Sequence, residues 1–339
     1  MKIGAFDLDR QVLVVAEIGN NHEGSYALAE ELIDLAAEAG AGAVKFQTFR
    51  TDRFVDPRDE ERFERMKRFE LSEDEFGRLC HHARGAGLLF ISTPLDLGSA
   101  RFLGEIADAL KIASGDNTFY PLIEQAAESG KPLMVSTGLA DLAQIRRAAS
   151  FVEGVWRRCG VEQDLALLHC VSSYPVPADQ ANLATIPFLR QELDCTIGYS
   201  DHTIGADAAV MAVAMGARII EKHFTIDNHY SDFRDHRISA DPEIMKRLVD
   251  KVRDAQAMLG QPTRMIQDCE RDGVVAYRRS ITAARALSKG TALGPDDITW
   301  VRPGGGIPPG REGLVLGRRL NRDLEQGEPV LPADLEGAA

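Results

Sequence analysis

Lysines and small hydroxyl residues stand at the ends of short apolar runs in the first half of this chain. Lys45 and Lys111 end the runs AVKFQ and LKIAS, and the small segments Ser114-Gly115 and Ser136-Thr137-Gly138 follow runs of the same kind. Small residues let backbone N–H groups approach a phosphate closely, and lysine supplies the opposite charge. The combination is typical of a clamp for a phosphorylated carboxylate. For either lysine, an ion pair with a neighbouring glutamate and a Schiff-base nucleophile are the alternatives.

Two histidines end later apolar runs. His202 and His223 follow runs that neighbour each other along the chain, so both imidazoles can face one point. Two histidines with oxygen ligands suit a catalytic divalent ion that keeps open positions. Glu17, Asp201 and Asp235 supply carboxylates for this ion, and spacing does not choose among them. For a single histidine, a packed core or surface role is the more common one.

Eight β-rich runs alternate with amphipathic helical patterns and must position these residues. The predicted strands are Val12–Glu17, Ala43–Gln47, Leu88–Ser92, Ala109–Ala113, Pro132–Ser136, Leu165–Cys170, Cys195–Tyr199 and Arg218–His223. The predicted helices are Tyr26–Ala39, Leu97–Ile106, Leu122–Ser129, Leu139–Val152, Ala206–Met215 and Pro242–Leu259. This alternation predicts an α/β protein with a closed (β/α)8 TIM barrel, whose chemistry collects at the carboxyl ends of the strands. Neither GxGxxG after the first strand nor GxxxxGK[ST] occurs, which disfavours nucleotide binding.

The chain changes character after its last long helix. Residues 263–279 are polar and show no sustained periodicity of apolar residues. Residues 280–339 have the pattern of short strands separated by turns. Ten Gly and six Pro lie between Gly290 and Gly337. We therefore expect a barrel domain over 1–262, a linker over 263–279 and a small β-rich domain over 280–339.

The composition excludes several classes of protein. The 339 residues include 39 Lys and Arg against 52 Asp and Glu, a formal net charge of −13. No nucleic-acid partner is expected, and a few placed cations must meet any anionic substrate. The five cysteines form no CxxC pair, which favours reduced thiols. No apolar run approaches the ~20 residues of a membrane span and no signal peptide is apparent, so we expect a cytoplasmic protein without a membrane partner.

Eight sequence strings, in order along the chain, resemble the sialic acid synthases. They are AEIGNNHEG (16–24), AVKFQT (43–48), STPLD (92–96), KIASGD (111–116), STG (136–138), LLHCVSSYP (167–175), IGYSDHT (197–203) and EKHFT (221–225). The resemblance implies an enzyme that condenses phosphoenolpyruvate with an N-acylated hexosamine. Its products are nine-carbon α-keto acid sugars such as N-acetylneuraminate, legionaminate and pseudaminate. The segments SITAARALSKGTAL and VRPGGGIPP resemble the antifreeze-like (SAF) domain that follows the barrel in this family.

The resemblance also implies roles for individual residues. The positions that match phosphoenolpyruvate contacts are Lys45, Lys111, Ser114, Ser136 and Ser200. The positions that match the sugar pocket or proton transfer are Glu17, Gln47, Ser172, Tyr174 and Asp235. His202 and His223 match the ligands of a Mn²⁺ or Mg²⁺ cofactor. Arg302 matches an arginine that the SAF domain of one subunit inserts into the active site of the other, which implies a domain-swapped homodimer.

Two departures from the family pattern fall on the sugar side. Phe233-Arg234 precedes Asp235 where Gly-Pro is usual, and Ser172 stands where asparagine is common. Arg234 therefore either contacts an unusual substituent of the acceptor or pairs with a nearby carboxylate. A synthase of this family acting on a different aldose remains an alternative. A Schiff-base aldolase and a non-catalytic sugar-binding protein are the others.

Overall fold

The computed structural model describes residues 1–337, and the chain forms two compact units. The first unit is Met1–Gly260, and the second begins at Gln261. No helix within residues 1–337 is both long enough and apolar enough to cross a membrane.

Eight parallel strands close into a barrel in the first unit. They are β3 (Leu13–Gly19), β4 (Ala43–Thr48), β5 (Leu89–Pro94), β6 (Ala109–Ile112), β7 (Leu133–Ser136), β8 (Leu165–Cys170), β9 (Thr196–Asp201) and β10 (Ile219–His223). Strand β10 pairs with both β9 and β3, which closes the sheet. The predicted (β/α)8 fold is confirmed, and each predicted strand lies within two residues of the observed one at both ends.

Helices surround the barrel and connect its strands. They are α1 (Tyr26–Glu38), α2 (Thr51–Phe54), α3 (Glu60–Phe69), α4 (Glu73–Gly85), α5 (Leu97–Ile106), α6 (Tyr120–Glu128), α7 (Leu142–Cys159), α8 (Thr185–Glu192), α9 (Asp207–Ala214), α10 (Arg234–Ile238) and α11 (Pro242–Leu259). Their starts follow ordinary capping chemistry. The Ser72 hydroxyl accepts from the Glu75 N–H while the Glu75 carboxylate accepts from the Ser72 N–H, which fixes the first turn of α4. The six predicted helices are present, whereas α2, α3, α4, α8 and α10 are not among the predicted ones.

The barrel interior is filled by side chains and is closed at one end by the N-terminal hairpin. Strands β1 (Lys2–Ile3) and β2 (Phe6–Asp7) form this hairpin. Ile3 and Leu8 are completely buried, and they pack in one cluster with inward-facing barrel residues such as Met134. This packing closes the amino-terminal end of the barrel, so the opposite end is left for chemistry.

The second unit is small and has its own core. It contains α12 (Gly273–Ala276) and an antiparallel pair formed by β11 (Ser280–Ala283) and β12 (Ile298–Val301). Its core includes the completely buried residues Ile281 and Val330. The segment predicted as a linker, 263–279, contains the short helix α12.

Candidate active site

A single cavity of about 1090 Å³ opens at the carboxyl ends of the barrel strands. It brings together twelve of the site residues predicted within the barrel: Glu17, Lys45, Gln47, Lys111, Ser114, Ser136, Ser172, Tyr174, Ser200, His202, His223 and Asp235. Asp201, the third carboxylate considered for the ion, does not line this cavity and instead lies 2.9 Å from the buried Lys222 Nζ. Residues far apart in the chain meet there because parallel barrel strands all end on one face. Arg302, the remaining predicted site residue, belongs to the second unit, where it is exposed and directly follows β12.

A buried network of two lysines and two glutamates forms the floor of the cavity. Lys45 Nζ lies 2.7 Å from Glu17 Oε2 and 3.9 Å from Glu221 Oε2. Lys111 Nζ donates to Ser136 Oγ at 2.6 Å and lies 3.7 Å from Glu221 Oε1. Groups this deeply buried are tolerated because opposite charges and hydroxyls surround each of them.

Burial and pairing shift the pKa values of this network. Burial lowers the pKa of Lys111, and Glu221 only partly opposes that effect. Burial acts the same way on Lys45, but the adjacent Glu17 and Glu221 outweigh it and hold its pKa above the usual value. Burial would raise the pKa of Glu221, yet Lys111 and Lys45 lower it to about 2. Burial raises the pKa of Glu17 despite the attraction of Lys45, so Glu17 is suited to accept and release a proton.

Glu221 is a member of the network to which the sequence analysis gave no role. Its hydroxyl partner is Ser200, which donates to Glu221 Oε1 at 2.8 Å. The available signal was the strand IIEKH, because alternate residues of a strand share a face and this places Glu221 beside His223. The pairing with lysines of β4 and β6 depends on barrel closure and is not visible in the sequence.

His202 and His223 lie together at the wall of the cavity. Their ring centroids are 5.5 Å apart. His202 Nδ1 donates to the Val171 carbonyl oxygen at 2.9 Å, which leaves its Nε2 lone pair free. Within the described chain, the buried Nδ1 of His223 has no hydrogen-bond partner. Burial lowers the pKa of His223, which favours the neutral, ligating form of its imidazole.

These two imidazoles fit a divalent ion that takes its other ligands from water or substrate. Among residues 1–337, no group of three or more His, Cys, Asp or Glu side chains is arranged to hold a metal by itself. The hydrogen bond from His202 to a backbone carbonyl is the kind of contact that orients a ligating histidine. An open coordination sphere is what a catalytic, rather than structural, ion requires.

Tyr174, Arg234 and Asp235 form the side of the cavity next to the histidines. The Tyr174 ring lies 4.1 Å from the His202 ring, and the Arg234 guanidinium carbon lies 4.7 Å above Tyr174 on a cation–π contact. Arg234 also donates to Asp235 Oδ1 from Nε and Nη2 at 3.1 Å each. Arg234 thus pairs with a carboxylate, and it still lines the cavity.

Close packing positions the polar residues around the lysines. Gly138 donates its N–H to Ser114 Oγ, and a Cβ at this position would lie 2.3 Å from Ser172 Oγ. A larger residue at position 138 would therefore displace the hydroxyl groups of both serines. Gln47 is held beside Glu17 by two hydrogen bonds. Gln47 Nε2 donates to Glu17 Oε1 at 3.4 Å, and Gln47 Oε1 accepts from Asn20 Nδ2 at 2.8 Å.

The fold and the site are those of a (β/α)8-barrel enzyme, with two buried lysines and a pair of histidines at the carboxyl ends of its strands. Residues 32–264 match the model of the NeuB family, and residues 278–336 match the SAF domain. The chain belongs to the NeuB family and carries the expected SAF domain.

Individual relatives extend this comparison over nearly the whole chain. Uncharacterized protein MJ1065 of Methanocaldococcus jannaschii is 42% identical over 96% of this chain and 94% of its own length. N,N'-diacetyllegionaminic acid synthase of Legionella pneumophila is 38% identical, covering 95% of this chain and 94% of the relative. The solved N-acetylneuraminic acid (sialic acid) synthetase of Leptospira borgpetersenii is 35% identical with a TM-score of 0.75, over 81% of this chain and 94% of the solved chain.

Proposed function

We propose that this protein condenses phosphoenolpyruvate with an N-acylated hexosamine, giving a nine-carbon α-keto acid sugar and phosphate. The observation that carries the proposal is the placement of Lys45, Lys111 and Ser136 in the same cavity as His202 and His223. An anion clamp beside a pair of imidazoles suits a reaction between a phosphorylated enol and an aldehyde. The names of the legionaminic acid and sialic acid synthases among its relatives support the same reaction.

The lysines and hydroxyls would bind phosphoenolpyruvate and stabilise the departing phosphate. Lys45 and Lys111 would supply charge, and the hydroxyls of Ser114, Ser136 and Ser200, which line the same cavity, would donate hydrogen bonds to it. C3 of phosphoenolpyruvate forms a bond to the aldehyde carbon, water adds at C2, and the tetrahedral intermediate expels phosphate to leave the ketone. Charges fixed before the reaction are effective because the site need not reorganise as phosphate leaves.

His202 and His223 would hold Mn²⁺ or Mg²⁺ in this proposal. When bound, such an ion polarises the aldehyde oxygen of the acceptor as a Lewis acid. Gln47, Ser172 and Tyr174 line the adjacent wall, where they would orient the sugar.

Glu17 and Asp235 are the two carboxyl groups proposed to move protons. The raised pKa of Glu17 suits it to donate a proton and to receive one from the attacking water. Asp235 is buried beside Arg234, next to the sugar wall of the cavity. Separate Glu17→Gln and Asp235→Asn variants, compared in the pH dependence of kcat, distinguish the two.

The proposal includes a cytoplasmic homodimer in which Arg302 of one subunit completes the site of the other. The exposure of Arg302 in its own unit leaves the guanidinium available for such a role. All five cysteines are free, which favours a reducing compartment. A monomer by light scattering, or full activity of Arg302→Ala, contradicts this part of the proposal.

Phosphate release tests the reaction. The protein is incubated with Mn²⁺, phosphoenolpyruvate and a panel of N-acylated hexosamines, with shorter aldoses as the comparison. We expect release only when a hexosamine is present, with one nine-carbon keto acid formed per phosphate. Reaction with a shorter aldose but with no hexosamine contradicts the substrate class.

A Schiff-base aldolase is the second candidate because burial lowers the pKa of Lys111 and so favours its nucleophilic amine. Imine formation would expel one water and borohydride reduction would then add two hydrogens, so the protein would gain the mass of the carbonyl substrate less one oxygen atom. The condensation proposed above predicts no adduct at Lys111 or Lys45.

A further inference from the structure

We propose that four arginines at the outer part of the cavity form a subsite for an anionic group on the acceptor, at the end remote from its aldehyde. They are Arg62, Arg65 and Arg68 of α3, together with Arg234, and all four line the cavity. The inference rests on the proposed function and narrows it to a class of acceptor.

The helix α3 presents its three arginines along one side. Steps of three residues in an α-helix keep side chains on neighbouring positions of one face. The ring of Phe69, at the end of α3, lies 5.2 Å from the ring of Phe233 in an edge-to-face contact. Since Phe69 follows Arg68 and Phe233 precedes Arg234, this contact brings the two parts of the arginine group to the same side of the cavity.

A second contact holds α3 over the strand ends. A Cβ at Gly24, in the loop after β3, would lie 1.9 Å from the carbonyl oxygen of Arg68. Gly24 also has a φ of +83°, a conformation that other residues rarely adopt. The loop and the helix therefore meet closely, and the position of the arginines is fixed by backbone packing.

The carboxylates that share the outer cavity are already paired. Glu61 lies 3.4 Å from Arg65, Asp232 lies 3.3 Å from Arg237, Glu23 lies 3.0 Å from His236, and Asp235 lies 3.1 Å from Arg234. Within residues 1–337, neither Arg62 nor Arg68 has a carboxylate oxygen within 4.0 Å. Arg62 instead lies over the Phe54 ring, at 5.5 Å from its centroid, which leaves its N–H groups free to donate.

One N–H group of Arg65, that of its buried Nε, has no hydrogen-bond acceptor in the described part of the chain. A buried N–H without a partner is costly, and rotation of this side chain, which is 39% exposed, would let an anion beside α3 accept from it. Guanidinium groups are planar forks that bind phosphate and carboxylate through paired hydrogen bonds, so these two anions are the chemistry the subsite fits.

The distance from the histidines matches the length of a hexose. The His202 ring lies 4.1 Å from the Tyr174 ring, and Arg234 lies 4.7 Å from that ring. The two distances, 4.1 Å plus 4.7 Å, place the guanidinium at most about 8.8 Å from the His202 ring. An extended six-carbon chain spans about 6 Å at roughly 1.2 Å per bond. An acceptor whose aldehyde faces His202 would therefore bring a group on its C6 toward Arg234, on the side of the cavity that α3 also lines.

The test compares acceptors that differ only at C6. N-acetylmannosamine, its 6-phosphate and the corresponding 6-carboxylate are each assayed with phosphoenolpyruvate and Mn²⁺, by formation of the keto acid. We expect at least tenfold higher kcat/KM for the better anionic acceptor than for the 6-hydroxyl sugar. The phosphate and carboxylate arms show which anion the subsite takes.

Variants connect this preference to the arginines. In R65Q/R68Q we expect the preference for the anionic acceptor to fall at least tenfold, with thermal unfolding measured to confirm the fold. R58Q is the matched control, because Arg58 lies before α3, is highly exposed and pairs with Asp56. An equal or better reaction with the 6-hydroxyl sugar overturns the subsite, as does an equal loss toward all acceptors in R65Q/R68Q. Failure with these acceptors and with every hexosamine of the wider panel overturns the proposed function itself.

Discussion

Lys45 Nζ lies 2.7 Å from Glu17 Oε2, and both side chains are at most 4% exposed. The pair joins the first two barrel strands at the centre of the cavity, where the strand register places Glu17 directly opposite Lys45. An ion pair buried this deeply contributes little net stability as a pair, but removing one partner leaves the other charge uncompensated. The relationship therefore links the stability of the barrel to the chemistry of the site.

Lys45→Met should destabilise the protein strongly. It leaves Glu17 buried without its nearest cation, so we expect the free energy of unfolding to fall by about 3–5 kcal/mol. Urea unfolding measures this change. The double variant Lys45→Met, Glu17→Gln should recover much of the lost stability while condensation stays absent, because the phosphate still lacks its countercharge. Equal destabilisation in the single and double variants would show that the two residues are not coupled.

Removal of a divalent ion should abolish turnover. We expect a chelator to lower the rate by at least about 100-fold, since Lewis-acid stabilisation is worth several kcal/mol and about 1.4 kcal/mol is tenfold in rate. Added Mn²⁺ or Mg²⁺ should restore it. The His202→Ala, His223→Ala double variant should lose bound metal by elemental analysis, whereas His81→Ala, on α4, serves as the control. Full turnover of the double variant in chelator would contradict the metal assignment.

The barrel and its site could be predicted for a physical reason. Parallel strands buried on both faces read as continuous apolar runs, and their polar ends stand out in sequence. Lys45 and Lys111, for example, interrupt runs that are otherwise buried. Because the carboxyl ends of all strands share one face, finding the strands places eleven of the twelve cavity residues together, whereas Asp235, on α10, is expected there from the family resemblance.

The helix α3 could not be predicted in the same way. Seven of the ten residues in EERFERMKRF are charged, and its apolar residues, such as Phe63 and Met66, are few. From sequence alone, such a segment is predicted to be solvent-exposed. It is held in place by the contact of Phe69 with Phe233, and these residues are 164 positions apart in the chain. The pairing of Glu221 with two lysines was hidden for the same reason, since it exists only once the barrel closes.

Glu23 should act by positioning the segment that carries Asp235. Glu23 Oε1 lies 3.0 Å from Nε2 of the fully buried His236, and Ser231 donates to the same oxygen. We expect Glu23→Ala to lower kcat about tenfold, the effect of losing roughly 1.4 kcal/mol of a hydrogen bond to a charged group. KM for phosphoenolpyruvate should not change.

Hydrogen exchange distinguishes this positioning role from general destabilisation. In Glu23→Ala, amides of residues 229–238 should exchange faster, while the barrel strands should not change. Glu23→Gln keeps an acceptor oxygen for His236 and should restore much of kcat. Uniformly faster exchange across the barrel, or no recovery with Gln, would contradict the role assigned to Glu23.

His22 should make stability depend on pH below neutrality. The side chain is completely buried, packs against Phe46 and accepts a hydrogen bond at Nδ1 from the Gly24 N–H. Burial lowers its pKa to about 4, despite the attraction of Glu75. The unfolded chain, with an ordinary pKa near 6.5, therefore binds the proton more readily than the folded protein does.

The stabilisation that neutral His22 provides should be fully present above about pH 6.5 and should be lost as the pH falls toward 4. The full loss amounts to about 3 kcal/mol, since each unit of pKa difference is worth about 1.4 kcal/mol. His22→Gln, which cannot titrate, should unfold with a shallower dependence on pH over this range. Urea unfolding of both proteins from pH 7.5 to 4.5 measures the difference, with the value at pH 7.5 giving the cost of the substitution itself. Parallel curves for the two proteins would show that His22 does not resist protonation in the folded state.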